Sequence, residues 1–225
     1  MDPGIKDISQ VRSIVSIMEP LSHLNESTIA EKLVESGALL EGHWELLSGK
    51  HTPVFLKFRL IAEKCNNGFL DDIAQELTKK FKDQHVDVVI GRVTAGSLLV
   101  DKVSAKLRAV IPNIQGALAK IEESGRPIPE LLTGKIEKGD DVLIIDDLTT
   151  TGEGLKRLIK LVASKEAKVV GIGLFAARDE APLKQLRLKG INLHVLIKLN
   201  VENVDKSSCH LCRNRMEVEY SRDHM

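Results

Sequence analysis

The chain has 225 residues, which is enough to bury a substantial core in one large domain or in a domain with a small appendage. Its 32 lysine and arginine residues balance its 32 aspartate and glutamate residues, so no net field attracts nucleic acid or an anionic membrane. No apolar run reaches the roughly 18 residues of a membrane span, and three cysteines (Cys65, Cys209, Cys212) do not suit a disulfide framework. We expect a cytoplasmic protein with reduced thiols and no nucleic-acid or membrane partner.

The first third of the chain predicts helices, then two strands, then another helix. Short helical patterns at Ser9 to Met18 and Ser27 to Val34 predict a helical lead-in over residues 1–35. Residues 37–62 then predict two strands joined by the polar turn Ser48-Gly49-Lys50. The apolar residues between Phe69 and Phe81 recur at a spacing of four, which predicts a helix with one face packed on a sheet.

The remaining segments alternate between strand and helix patterns. The predicted strands are residues 86–90, 109–111, 142–145, 169–175 and 193–199. Two helical patterns lie between them, one with Leu99, Val103 and Leu107 and one with Leu155, Leu158, Ile159 and Val162. This alternation predicts an α/β fold, in which a mostly parallel sheet is flanked by helices and ligands bind beyond the carboxyl ends of the strands. The stretch from Gln115 to Asp141 has no clear periodicity, so we expect a functional or mobile loop there.

The segment VLIIDDLTTTGEG, Val142 to Gly154, is the most informative part of the sequence. A buried strand ends in Asp146 and Asp147, and a loop of threonines and glycines then leads into a helix. The amides at a helix N-terminus bind phosphate well, whereas the two carboxylates suit sugar hydroxyls or a hydrated Mg²⁺ ion. Together they predict a site for a ribose 5-phosphate.

A simpler interpretation remains open for the same segment. Aspartate and threonine are common where a strand meets a turn, so the acids could be a strand-end cap and the threonines a polar loop. The sequence contains neither GxxxxGK[ST] nor a GxGxxG after the first strand, which disfavours a P-loop ATPase and a dinucleotide-dependent dehydrogenase.

Three further stretches accompany this segment in a fixed order: SGALLEGHWELLSGKHTPVFL (Ser36 to Leu56), IGRVTAGSLLV (Ile90 to Val100) and INLHVLIKLNVENVDKSSCHLC (Ile191 to Cys212). The four together resemble the type I phosphoribosyltransferases, and within them the orotate phosphoribosyltransferases of a bacterial branch with a C-terminal Cys-x-x-Cys. The resemblance implies a phosphoribosyltransferase domain over residues 36–225. Its core would span about 68–180, and a small hood subdomain would come from about 36–62 and 181–225.

The resemblance also implies substrates and residue roles. Phosphoribosyl pyrophosphate (PRPP) and orotate would react with Mg²⁺ as cofactor, the ion being held by substrate and by Asp146 and Asp147, and the enzyme would be a homodimer. Asp146 and Asp147 would contact the ribose and act in catalysis, and Thr150 would also lie near the base. The implied PRPP-binding residues are Gly91, Arg92, Gly96, Asp146, Asp147, Leu148, Thr149, Thr150, Thr151, Gly152, Glu153 and Gly154.

Arg178 falls where this family has an arginine for orotate. A planar guanidinium binds a carboxylate through two parallel hydrogen bonds, so this role is physically reasonable. The alternative is a surface arginine paired with Asp179 or Glu180.

The sequence also departs from the family pattern. The mobile basic loop of orotate enzymes corresponds here to the segment from Ala117 to Gly134. This segment has only two cations, Lys120 and Arg126, which we assign to catalysis. Arg92 stands where the related branch commonly has proline and could supply some of the missing charge. Glu153 would repel a bound phosphate unless its side chain pointed away. A catalytically degenerate nucleotide-binding regulator, or a transferase for another base, therefore remains an alternative.

The pair Cys209 and Cys212 supplies two thiolates, whereas a structural zinc ion needs four ligands. The other ligands would be His210, His194 or residues of a second chain; the alternative is a packed, reduced pair. We interpret His43, His51 and Trp44 as packing or turn residues.

Overall fold

The computed structural model describes residues 4–65, 68–94, 96–120 and 130–221. The strands of this part of the chain are β1 (Val15–Ile17), β2 (Leu39–Glu45), β3 (His51–Leu56), β4 (Val88–Arg92), β5 (Gln115–Lys120), β6 (Glu130–Thr133), β7 (Asp141–Thr149), β8 (Lys168–Ala177), β9 (Asn192–Leu199) and β10 (Glu219–Tyr220). The helices are α1 (Ile8–Ile14), α2 (Glu26–Ser36), α3 (Arg59–Lys64), α4 (Gly68–Phe81), α5 (Ser97–Arg108), α6 (Glu153–Ser164), α7 (Ala181–Leu188) and α8 (His210–Arg213). None of these described helices combines the length and apolarity needed to cross a bilayer.

The larger of the two sheets has seven strands in the order β1-β9-β8-β7-β4-β5-β6. The five central strands, β9 to β5 in that order, pair in parallel, whereas β1 and β6 at the edges pair antiparallel with their neighbours. The carboxyl ends of β4 and β7 therefore lie side by side. The α/β fold class predicted from the alternating pattern is confirmed.

The large sheet is buried on both faces, which explains its nearly continuous apolar strands. Successive residues of β7 point to opposite faces: Leu143 and Ile145 pack with α4 and α5, whereas Val142 and Ile144 pack with α6 and α7. Two separate cores result, one on each side of the sheet.

Helix α4 shows how closely the helices approach the sheet. Phe81, the last residue of its apolar stripe, is completely buried against β8. A Cβ added to Gly171 would lie 2.6 Å from Phe81 Cε1, and one added to Gly173 would lie 3.0 Å from Phe81 Cε2. Glycine is thus required at these positions of β8, because any side chain would push the phenylalanine ring away.

The second sheet, which we call the hood sheet, consists of β10, β2 and β3 in that order. Strands β2 and β3 form an antiparallel hairpin, and β10 adds in parallel to β2 through Glu219 and Tyr220. Trp44 stacks on Phe55 with a centroid separation of 5.0 Å and closes a small core of its own. The hood sheet therefore depends on the end of the chain as well as on residues 39–56.

The structure corrects three expectations about secondary structure. The helix predicted over Ser9 to Met18 ends at Ile14, because Val15–Ile17 instead pair with the edge of β9. The apolar run 109–111 is a turn after α5, and Val110 is 59% exposed, so the next strand is β5. The stretch 115–141 expected to be a loop contains β5 and β6; small residues such as Ala117 and Ala119 fill the buried face of β5 and hide its strand pattern.

The division into core and hood also differs from the expected one. The segment 181–225 was assigned to the hood, but α7 packs on the large sheet and β9 is one of its parallel strands. In the described part of that segment, β10 is the strand that joins the hood sheet, and Val204 forms an isolated bridge with His51 of β3. The predicted helical lead-in, 1–35, likewise contributes a strand, β1, to the large sheet.

Candidate functional site

A cavity of about 1190 Å³ opens at the carboxyl ends of β4 and β7. The large sheet and the loop before α6 form one side, and the turn of the hood hairpin forms another. Its lining consists of residues 45–49, 55–59, 92–94 and 146–154, together with Lys120, Leu132, Arg157, Tyr220 and Ser221. The cavity has the size and position of a ligand site in an open α/β sheet.

The loop Thr150-Thr151-Gly152 forms the floor of the cavity and turns the chain from β7 into α6. Gly152 has φ = 75°, in the left-handed region, and a Cβ there would lie 2.9 Å from Pro182 Cβ, so only glycine fits. No side chain caps α6, so amides of its first turn are available to a ligand, and the helix dipole favours an anion. All of Asp146 to Gly154 line the cavity, as the predicted phosphate loop requires.

Asp146 and Asp147 lie inside β7, which continues to Thr149, rather than beyond its end. Asp146 is 1% exposed, and its Oδ1 accepts a hydrogen bond of 3.1 Å from the amide of Asp147. Burial and the negative charge of Asp146 raise the pKa of Asp147 well above that of an ordinary aspartate. The two carboxylates therefore repel each other when both are ionised, and a bound cation or a hydrogen-bond donor would reduce this repulsion.

Arg92, at the end of β4, is the cation that contacts this pair. Its Nε donates to Asp146 Oδ2 at 2.8 Å, its terminal nitrogen lies 3.6 Å from Asp147 Oδ1, and it donates to the carbonyl of Leu148. The charge of Asp146 raises the pKa of Arg92. The arginine was expected to supply positive charge for the pyrophosphate, but here that charge is already compensated by aspartates.

The glycines of the predicted pyrophosphate loop have different surroundings. Gly91 does not line the cavity: a Cβ there would lie 2.4 Å from Val100 Cγ2 and 2.7 Å from the carbonyl oxygen of Ile145, so its role is to let α5 and β7 approach β4. At Gly96, before α5, a Cβ would lie 3.1 Å from Asp147 Oδ1. The loop backbone thus lies directly against the acids.

Glu153 lines the cavity, but its carboxylate is paired with a lysine. Its carboxylate binds Lys156 Nζ at 2.6 Å, and this hydrogen bond lowers the pKa of Glu153. The expected repulsion is therefore reduced by a lysine one turn further along the helix. The same helix brings Arg157 to the cavity, a residue that the sequence analysis missed although its helical position places it one turn after Glu153.

Of the two cations assigned to catalysis, Lys120 ends β5 and lines the cavity. Arg126 lies outside the described residues. The hood contributes Ser48 and Gly49, as expected for a covering turn, and Gly49 has φ = 74°. Tyr220 and Ser221 also line the cavity; no local motif pointed to them, because they arrive there only through the pairing of β10 with β2.

Arg178 is buried, and its guanidinium is turned towards β3 rather than into the cavity. It donates to the carbonyl of Val54 at 2.8 Å and lies 3.4 Å from Thr52 Oγ1 and Asn203 Oδ1, whereas its Nε has no hydrogen-bond partner. Within the described residues no carboxylate pairs with it, and burial lowers the pKa of Arg178 to about 10, so it remains charged at neutral pH.

The alternative interpretation of Arg178 as a surface arginine is wrong. The side chain is only 4% exposed. Asp179 Oδ1 accepts from the amide of Ala181, and Glu180 binds Lys198, so the two neighbouring acids have other partners. Its role in orotate binding stays a prediction.

The cysteine pair has different neighbours from those expected. His194 binds Glu19 and His210 faces Glu202, so neither of them lies beside Cys209 and Cys212. His43 and His51, which were expected to be packing or turn residues, lie there instead. Sequence spacing could not show this, because the two pairs are more than 150 residues apart along the chain and meet only in the hood.

Comparison with known proteins gives consistent results. The family model for the phosphoribosyl transferase domain matches residues 66–198. An orotate phosphoribosyltransferase of Caldanaerobacter subterraneus subsp. tengcongensis is 31% identical over 188 residues, which cover 81% of this chain and 92% of the relative. One of Caldicellulosiruptor saccharolyticus is 30% identical over 190 residues, 84% and 92% of the two chains.

The fold has solved counterparts as well. The crystal structure of orotate phosphoribosyltransferase from Aeropyrum pernix superposes with a TM-score of 0.60 at 22% identity, over 76% of this chain and 91% of that one. At this level of identity the likeness shows the shared fold.

Proposed function

Because the chain belongs to the phosphoribosyltransferase family, we propose that it transfers the 5-phosphoribosyl group of PRPP to orotate, giving orotidine 5′-monophosphate and pyrophosphate. The observation that carries this proposal is the continuous cavity wall from Asp146 to Gly154, in which two carboxylates adjoin an uncapped helix N-terminus. An anion fits the helix N-terminus, and a sugar diol fits the two carboxylates.

Different residues of this wall bind different groups of PRPP. Residues Thr150 to Gly154 bind the 5′-phosphate through their amides and hydroxyls, while Asp146 and Asp147 accept hydrogen bonds from the ribose hydroxyls. Leu148 and Thr149 lie between these two sets of residues. They fix the relative position of the two sets, because they pair with Ala176 and Ala177 of β8. Gly96 and the following loop lie close enough to the acids to place the pyrophosphate beside the ribose.

The acidic pair also suits Mg²⁺. Carboxylate oxygens are the ligands this ion prefers, and the raised pKa of Asp147 reflects burial and a negative charge on Asp146 that Arg92 only partly compensates, which a divalent cation would neutralise. Asp146 and Asp147, with the substrate's own oxygens, would hold the ion. When bound, it supplies positive charge to the departing pyrophosphate.

The chain's own contribution to the reaction is mainly alignment and charge. Positive charge develops on the ribose as the pyrophosphate leaves, and the carboxylates beneath the ribose stabilise that charge. Lys120, and Arg126 of the neighbouring segment, supply cations for the pyrophosphate. The family resemblance also implies a homodimer, which we include in the proposal.

Arg178 supports orotate as the base. A buried cation without a carboxylate among the described residues can pair with an anionic ligand at little further desolvation cost. Orotate differs from uracil by a carboxylate, so the charge discriminates between them. Rotation of the guanidinium away from Val54, with Thr150 beside the base, would make this contact.

The decisive experiment mixes the purified full-length protein with PRPP, Mg²⁺ and orotate and follows the loss of orotate absorbance. Turnover is expected with orotate and not with uracil, hypoxanthine or adenine. Asp147→Asn is expected to reduce kcat/KM for PRPP by about 10- to 100-fold, because a hydrogen bond to a charged group contributes about 1.5–3 kcal/mol. Asp83→Asn, at a side chain that is 89% exposed, is the matched control.

Arg178 is tested in the same assay. Arg178→Lys keeps the charge and Arg178→Ala removes it, and only the second should abolish the preference for orotate over uracil in binding titrations. PRPP binding without consumption of any base would instead identify a nucleotide-binding regulator, and turnover of a purine base would identify another transferase.

A further inference from the structure

A compact cluster of four metal-ligating side chains lies in the hood, apart from the cavity. His43, His51, Cys209 and Cys212 each direct one ligand atom towards a common point, and these four atoms all lie within 4.8 Å of one another. His43 and His51 are 1% exposed and Cys209 is 2% exposed. None of the four lines the cavity.

Three sulfur–nitrogen distances match the edges of a tetrahedron around zinc. His43 Nε2 lies 3.5 Å from the sulfur of Cys209 and 3.5 Å from that of Cys212, and His51 Nδ1 lies 3.4 Å from the sulfur of Cys212. With Zn–S of about 2.3 Å and Zn–N of about 2.0–2.1 Å, the S···N edge of a tetrahedron is about 3.6 Å. The two nitrogens are 2.7 Å apart and would separate to about 3.4 Å around the ion.

Local structure explains how the ligands are aimed. His43 lies in an irregularity of β2, where the pairing with β3 shifts register between Glu41 and Trp44, and such bulges re-aim side chains. Cys209 precedes α8 and Cys212 lies within it, so a spacing of three places both sulfurs on one side of the turn. His210, between them, is about half exposed and points away.

The outer nitrogens of both histidines have suitable partners. His43 Nδ1 lies 3.0 Å from the carbonyl oxygen of Met216, which can only accept, so Nδ1 carries the proton and Nε2 presents a lone pair to the cluster. His51 Nε2 lies 3.5 Å from a carboxylate oxygen of Glu45. Metal-binding histidines commonly direct their second nitrogen at a carbonyl or a carboxylate.

Without a metal, two neutral histidines cannot satisfy every contact of this cluster. When His43 is neutral and its Nε2 holds a lone pair, the 2.7 Å contact with His51 Nδ1 requires that His51 donates from Nδ1. The Nε2 of His51 would then direct a lone pair at the Glu45 carboxylate, which is repulsive. A cation at the centre removes this conflict, because both inner nitrogens can then be unprotonated.

We propose that His43, His51, Cys209 and Cys212 form a structural zinc site. The two thiols lose their protons to solvent on binding, so the ion and two thiolates make an electrically neutral centre that can be buried. Four protein ligands fill the coordination sphere, which is the mark of a structural rather than a catalytic zinc ion. This proposal does not rest on the proposed transferase activity.

The site fastens the end of the chain to the hood. Its ligands come from β2, β3 and α8, and the residues that follow α8 form β10, which pairs with Trp44 and Glu45. Tyr220 and Ser221, at the end of β10, line the cavity. Zinc thus holds together the part of the hood that covers the substrate cavity.

Metal analysis of the full-length protein tests the proposal directly. The protein is produced in zinc-supplemented medium, purified without chelator and measured by inductively coupled plasma mass spectrometry, with about one zinc ion expected per chain. Cys209→Ser and Cys212→Ser should each lose most of the zinc. His210→Ala and Cys65→Ser are matched controls, since they change a histidine and a cysteine outside the cluster, and both should retain it.

Two further measurements keep the test decisive if a variant folds poorly. Cobalt(II) added to wild-type protein that has been stripped of metal should give the visible bands of a tetrahedral site and a sulfur-to-cobalt charge-transfer band. Removal of zinc should lower the midpoint of thermal unfolding of the wild-type protein, and re-addition should restore it. A metal-free protein that binds neither ion, a Cys209–Cys212 disulfide, or zinc loss in His210→Ala equal to that in Cys209→Ser would overturn the proposal.

Discussion

Arg92 and Asp146 form an ion pair across the ends of two neighbouring parallel strands, with Nε and Oδ2 separated by 2.8 Å. The aspartate side chain is 2% exposed and the arginine side chain 16% exposed, so the pair is largely removed from water. Arg92 thus compensates part of the negative charge of Asp146 and Asp147 within the protein. A ligand that binds these acids must compete with, or rearrange, the arginine.

The first prediction concerns this pair. Arg92→Met should lower the free energy of unfolding by about 2–4 kcal/mol, because it leaves buried negative charge without a partner. Denaturant unfolding measures the loss. In a double-mutant cycle with Asp146→Asn the two losses should fall short of additivity by about 1–3 kcal/mol. Strict additivity would contradict the pairing. The more exposed pair of Lys102 and Asp71 should show a coupling below about 1 kcal/mol.

The second prediction concerns Asp147. Burial and the charge of Asp146 raise the pKa of Asp147 to about 7 in the folded protein, above its unfolded value. The folded state then binds the proton more tightly than the unfolded state, so this group makes stability fall as pH rises from about 4 to about 7. Asp147→Asn should therefore be more stable than wild type by about 1–2 kcal/mol at pH 8.

The same comparison near pH 4 should show little difference, because the wild-type carboxyl is then protonated in the folded protein. Chemical denaturation at both pH values measures the change. A variant that is less stable than wild type at pH 8 would show that Arg92 compensates both acids fully.

The third prediction concerns Gly91. Its Cβ would overlap Val100 and the carbonyl of Ile145, and the second contact is with backbone, which cannot rotate away. Gly91→Ala should lower the free energy of unfolding by about 1–3 kcal/mol. Gly68→Ala is the control, since a Cβ at Gly68 meets nothing within 4 Å; its change should stay within about 0.5 kcal/mol. Equal effects in the two variants would mean that the β4–α5 contact is looser than described.

The fourth prediction concerns Glu19, which attaches the N-terminal segment to β9. Burial opposes its ionisation, but hydrogen bonds from His194, Val195 and Lys80 lower the pKa of Glu19 to about 2. A depressed carboxyl pKa stabilises the fold above the unfolded value of 4.5, and this contribution is lost as pH falls towards 2.

Glu19→Gln should accordingly lower the free energy of unfolding by about 1–3 kcal/mol at pH 7, and the difference should shrink as pH falls below about 4. Acid titration followed by circular dichroism measures it. Glu35→Gln, in a surface pair with Lys32, is the control and should change little. A constant difference between pH 7 and pH 3 would argue against the proposed ionisation.

The sequence predicted the family and the central sheet because both are encoded locally. The strand and phosphate loop from Val142 to Gly154 are consecutive residues, and their order alone places acids, amides and a helix start together. The helix α4 was likewise predictable, because its apolar spacing matches the helical period. Family assignment and fold class are confirmed on these grounds.

The features that sequence analysis missed depend on contacts between distant segments. Strand β1 forms only because β9 offers an open edge, and β5 is concealed by alanines that are weak strand formers. His43 and His51 carry no spacing signal, since their partners lie on α8. Arg178 could be placed at the end of β8, but the direction of its guanidinium towards Val54 is set by the hood.

The order of strands in the large sheet also affects how molecules of this protein can associate. Its five parallel strands end on each side in a short antiparallel strand, β1 with three residues and β6 with four. Such short borders offer few unpaired amides and carbonyls to another polypeptide, which discourages strand-by-strand polymerisation. Any specific dimer would therefore draw its contacts from side chains on helices and loops rather than from these strand edges.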